Sequence, residues 1–172
     1  KEKSWRDQTY RELAKLLVHE KQSEKAIALI PLIQSPDKKA MTVRAIGIEA
    51  AQIDFTAEEY QALFTALRAE AEKIEHPPSY AIALNYIADA QALAGDDESS
   101  LATAKSIENV EMRHKALYDS AKIQAEDGRL GAAVRGIQTM NDQGFQNKAF
   151  FWTSKIRADA EDYEGALRMS EY

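Results

Sequence analysis

Three stretches in the C-terminal half of the chain, IADAQALAGDDESSLATAKSI, SAKIQAEDGRLGAAVRGIQTM and TSKIRADAEDYEGALRMSEY, align without a gap, and Ser100, Ala133 and Ala166 fall 33 residues apart. A fixed period in the low thirties, with two helical stretches per period, constrains the fold to stacked helix pairs. Each pair is too thin to bury its apolar face without a neighbour. The expected fold class is therefore all-α, one domain over residues 1–172 built of about five antiparallel helix pairs.

Composition agrees with such an array. Of 172 residues, 45% are hydrophobic and only 8% aromatic, and alanine, which favours helix and lets helices approach closely, carries much of that fraction. The net charge of −6 argues against general affinity for nucleic-acid phosphates. The longest apolar runs are broken by Lys25, Pro31 and Asp89, so no membrane span is expected and the chain reads as soluble. Cysteine is absent, which removes disulfides, thiol catalysis and Cys-based zinc sites and leaves the compartment undecided.

Amphipathic spacing predicts a first helix over about 5–20, with Tyr10, Leu13, Ala14 and Leu17 on one stripe, and a partner over 23–34 that Pro31 bends or shortens. Ser35, Pro36 and Asp37 read as a turn before a helix at 38–53. Thr56 and Glu59 form a capping-box pattern that opens a long helix to about residue 75, ended by Pro77 and Pro78. Helices follow near 80–94 and 98–109, then 112–127 and 130–142, with a last pair beginning near Gln146.

Carried backwards, the repeat places Ala26 74 residues before Ser100, so the second repeat holds about eight extra residues. The repeats then cover about 4–37, 38–78 (enlarged), 79–110, 111–143 and 144–172 (incomplete). A chain that stops at Tyr172 without a polar closing helix is expected to be a fragment, or to continue its stack with another protomer.

The small residues Ala14, Ala88, Ala121 and Ser154, the second small set Ala26, Ser100, Ala133 and Ala166, the large residues Tyr10, Leu84, Leu117 and Phe150, and the turn glycines Gly95 and Gly128 together resemble the tetratricopeptide repeat. Close packing is the physical reason for such spacing, since small residues let paired helices touch and larger ones fill the space beside them. The sequence departs from the family at the eleventh position, where Leu17, Gln91, Gln124 and Arg157 replace an aromatic, and at the repeat end, where Lys38, Met112 and Phe145 replace proline.

The resemblance implies a right-handed superhelix whose concave face, lined by the first helix of each pair, binds a protein or an extended peptide. On that alignment the face carries Arg11 and Lys15, then Asn85 and Asp89, then Lys115, Tyr118 and Lys122, and finally Lys148, Phe151 and Lys155. Four lysines around two rings suit an acidic segment with an apolar side chain. An ordinary solvated helix face is the competing reading. In the run Phe150–Trp152, neighbouring rings diverge by about 100° on a helix, so Phe150 is assigned to the core and Phe151 and Trp152 to the surface.

No catalytic site and no cofactor are expected. The histidines His19, His76 and His114 lie in different repeats, and Glu72 with His76, or Glu111 with His114, lacks the second histidine of a metal site. No phosphate loop or nucleophile elbow is present. The expected function is a non-enzymatic binding scaffold. The alternatives are a self-associating module joined through its C-terminal helix, or the regulatory repeat domain of a larger enzyme.

Overall fold

The computed structural model describes the backbone of residues 2–172 and the side chains from residue 5 onward. It is all-helical, with no strand among the described residues. Ten α-helices follow one another: α1 (Glu2–His19), α2 (Ser23–Ile27), α3 (Pro36–Ala51), α4 (Ala57–Glu72), α5 (Pro77–Leu93), α6 (Asp97–Lys105), α7 (Val110–Glu126), α8 (Leu130–Gln138), α9 (Gln143–Asp159) and α10 (Tyr163–Ser170). Sequence neighbours pack as pairs, and the first helices of successive pairs also pack on each other, α1 on α3, α3 on α5, α5 on α7 and α7 on α9.

Local chemistry sets the helix ends. Thr56 and Glu59 close a complete capping box at the start of α4. Asp96, Asn109, Asp142 and Asp162 each accept the backbone N–H three residues on, which satisfies one of the donors a helix start leaves free. Two expected breaks are instead helix starts: Pro36 and the pair Pro77–Pro78 occupy the first positions of α3 and α5. Proline lacks an N–H that would be unpaired there anyway, and its fixed φ suits the first turn. Pro31 shortens its element as expected. Here α2 stops at Ile27, and a single 3-10 turn, Ile30–Leu32, carries the proline.

Four of the five pairs turn through the same backbone geometry. Lys21, Gly95, Gly128 and Glu161 all have positive φ, between 57° and 81°. At each, the next amide reaches back to the carbonyl five residues earlier, as in Gln22 to Leu17, Asp96 to Gln91, Arg129 to Gln124 and Asp162 to Arg157. These are Schellman closures, which demand a left-handed residue and therefore favour glycine.

The core is a column of small and branched side chains. Ala14, Ala88 and Ala121 are buried, as are Ala26, Ser100 and Ala133. Gly47 stands 33 residues after Ala14, and a Cβ built there would come within 2.8 Å of the Ala90 Cβ. The two sets of small residues meet within pairs: Ser100 Oγ donates to the Ala88 carbonyl and Ser154 Oγ to the Ala166 carbonyl, each at 2.8 Å. Where an aromatic was expected, polar side chains tie the array together. Thr103 Oγ1 donates to Gln91 Oε1 at 2.8 Å, and Gln124 Nε2 donates to Asp97 Oδ1 at 3.0 Å. The extra length of the second repeat sits in α4, sixteen residues long against nine in α6 and α8.

Candidate functional site

The first helices of the pairs present one face on which most of the sequence-nominated residues gather. From α3 to α9 this face carries Arg44, then Tyr86 and Asp89, then Lys115, Tyr118, Asp119 and Lys122, and finally Lys148, Phe151 and Lys155. Cations stand over tyrosine rings along it. The Arg44 guanidinium lies 5.5 Å from the Tyr86 ring centre, and the ammonium groups of Lys122 and Lys148 lie 5.6 and 5.4 Å from that of Tyr118. Lys122 reaches Tyr118 from one turn along α7, whereas Lys148 reaches it from α9, so the ring marks the junction between two repeats.

The four nominated lysines are not equivalent. Lys115 is ion-paired with Asp119 and Lys155 with Asp159, both one turn along the same helix. Lys122 and Lys148 take part in no ion pair among the described residues. Burial works against the Lys115 charge, but hydrogen bonding and attraction to the Asp119 carboxylate prevail and hold its pKa above the ordinary lysine value. Burial also raises the Tyr118 hydroxyl, assisted by Asp119.

Asn85 is corrected from surface to interior. It is 2% exposed. Its amide donates to Asp89 Oδ2 at 3.3 Å, and its Oδ1, like Asp89 Oδ1, is buried without a hydrogen-bond partner. The cause is the covering repeat, because this position on α5 is packed over by α7 whereas its counterpart on α9, Phe151, is 62% exposed. Burial, reinforced by the Asp119 charge and opposed by Lys115 and Arg44, pushes the Asp89 carboxyl up to about 7. With two of the lysines neutralised in pairs and Asp89 only partly ionised near neutrality, Arg44, Lys122 and Lys148 leave this face positive on a chain of net charge −6.

The aromatic run divides as expected. Phe150 is buried and stacked on Tyr172 at 5.1 Å, while Phe151 and Trp152 are exposed and meet edge to face at 5.5 Å. Arg11 and Lys15 both bond Glu12 on α1 and stand apart from the α7–α9 cluster. Sequence reasoning missed Arg44, Tyr86, Asp119 and Asp159. The two aspartates carry a signal, since each follows its lysine by four residues.

The histidines have local partners. His19 Nδ1 lies 3.1 Å from Glu49, His76 Nδ1 2.7 Å from Ser79 Oγ, and His114 Nε2 2.7 Å from Asn141 Oδ1. No group of three or more His, Asp or Glu side chains suited to a metal occurs among the described residues. None of their helices is long and apolar enough to cross a membrane. Compared with family models, curated proteins and solved structures, the chain matches none.

Proposed function

We propose that the chain is a non-enzymatic, tetratricopeptide-like α-solenoid that binds an extended acidic segment of another protein across α7 and α9. The observation that carries this reading is the convergence of two unpaired ammonium groups, Lys122 and Lys148, on the Tyr118 ring at a repeat junction. A carboxylate placed there meets two cations already oriented by the ring. An apolar side chain one turn further along α9 meets the exposed Phe151. The stepwise packing of α1, α3, α5, α7 and α9 supports the solenoid reading, because it sets their outer faces side by side as one continuous surface.

The test is binding to an array of peptides in which Glu or Asp is spaced variably from a Leu or Phe, followed by titration of the best binder. Lys122→Glu combined with Lys148→Glu should weaken binding at least tenfold, about 1.4 kcal/mol. Lys115→Glu, which replaces a lysine already neutralised by Asp119, should weaken it far less. Equal loss in both variants, or none in either, overturns the assignment.

A further inference from the structure

We propose that this chain associates head to tail with a second copy of itself, the outer face of α9–α10 of one copy packing against the outer face of α1 of the next. Within the array, one row of residues on each first helix faces the preceding pair. Ala90 on that row meets Gly47 of α3, and the Ser120 hydroxyl on the equivalent row of α7 bonds Ser100 of α6 at 3.1 Å. This row is buried wherever a pair precedes it, as at Ile46, Ile87 and Ser120. On α1 the same register positions are Thr9, Leu13 and Leu16, with Trp5 one turn before, and all four are exposed, Leu16 at 64%.

The opposite row faces the following pair and shows the complementary pattern. Its first position is buried at Asp7, Ala40, Ala81 and His114 and exposed only at Asn147 of α9. On the second helices, Leu101 borders Leu117 and Ala132 of the following pair, and it and Val134 are half-buried against the core. Their counterpart on α10, Leu167, is 66% exposed, and Tyr163 beside it is exposed as well. The two ends are thus the two halves of one junction that the chain forms internally at every step. A second copy supplies the missing half with the correct register and chemistry.

Such a contact joins unlike faces, so it propagates rather than closing on itself in a two-fold dimer. The test uses Leu16→Glu to block one end and Leu167→Glu to block the other. Both sites are exposed, and far-UV circular dichroism matching the parent establishes that each variant folds. Trp5→Lys and Tyr163→Lys form a second pair should either glutamate disturb its helix. By sedimentation equilibrium, the parent chain should rise above the 19.2 kDa of one copy with increasing concentration. Each single variant should remain at one copy, and their equimolar mixture should recover a two-chain species and nothing larger. A parent that stays at one copy overturns the proposal. So does a single variant that associates like the parent, or a mixture that stays monomeric. The Lys122→Glu, Lys148→Glu chain should associate like the parent, which separates this interface from the peptide-binding face.

Discussion

The guanidinium of Arg157, near the end of α9, lies across the C-terminal end of α7, with Nη1 donating to the Ala125 carbonyl at 2.8 Å and to Glu126 at 3.2 Å, while Nε holds Asp162 at 2.9 Å. Arg129 does the same one step back, donating to the Ala92 carbonyl at 2.6 Å and pairing with Asp97. At the other end, Lys21 donates to the Asp54 carbonyl just beyond α3 at 2.6 Å. A cation at a helix C-terminus satisfies carbonyls that have no intrahelical donor and complements the negative end of the dipole. Three junctions between pairs therefore use the same device, although the cations come from different positions in the repeat.

Arg157→Ala should accordingly destabilise the array by about 2 kcal/mol, since it removes charge-assisted bonds at a half-buried site and frees the Asp162 carboxylate. For a chain of this size that corresponds to a fall in melting temperature of about 4–8 °C. Arg157→Lys, which keeps the charge but loses the fork, should fall between the two. Thermal unfolding by circular dichroism measures both, and an alanine variant as stable as the parent would show that these bonds contribute nothing net.

The repeated turn makes a second forecast. Glu161 adopts φ 62° at the position where Gly95 and Gly128 have φ 81° and 75°. A side chain in this conformation costs about 1 kcal/mol relative to glycine. Glu161→Gly should therefore stabilise by about 1 kcal/mol, and Gly95→Ala, whose Cβ would meet nothing within 4 Å, should destabilise by a similar amount through backbone strain alone. Urea denaturation of both variants reads the two opposite signs, and equal signs would remove the turn as their common cause.

Gly47 tests close approach rather than conformation. Mid-helix glycine normally costs about 1 kcal/mol against alanine, yet Gly47→Ala should destabilise, because the new Cβ would sit 2.8 Å from the Ala90 Cβ and 3.7 Å from Leu67. Overpacking of this kind costs about 1–3 kcal/mol. Ala90→Gly in the same chain should recover most of the loss. A double variant no better than the single one would place the strain elsewhere.

The helix order was legible because burial forces a 3.6-residue period on each segment and the 33-residue register repeats it. Proline was misread where its two effects diverge, since Pro36 and Pro77 end one segment and begin the next, and only the carbonyls that precede them decide which. Part of the candidate site was legible too. The pairing of Lys115 with Asp119 follows from helix geometry alone, whereas that of Arg44 with Tyr86 depends on how α3 registers on α5, which no local pattern encodes. Asn85 and Phe151 occupy equivalent positions, and what separates buried amide from exposed ring is the presence or absence of a following pair.

Asp89 links the interior to the face above it. Its carboxyl titrates at about 7 in the fold against 3.8 for an unperturbed group, chiefly through burial and then through Asp119, with Lys115 and Arg44 opposing. Between these two values the folded chain binds more protons than the unfolded one, so stability falls as pH rises from about 4 to about 7 and is flat on either side for this group. The full effect is on the order of 3–4 kcal/mol, one pKa unit being worth about 1.4 kcal/mol. Asp89→Asn cannot ionise, so at pH 8 it should be more stable than the parent by up to that amount, while at pH 4 the two should be nearly equal. The same substitution removes a negative charge beneath Arg44 and Lys115 and should make the face more positive at pH 8. Urea denaturation of both chains at pH 4, 6 and 8 measures the slope. A parent whose stability rises steadily across this range, in parallel with Asp89→Asn, would mean that the buried carboxyl is ionised in the fold and compensated by its cationic neighbours.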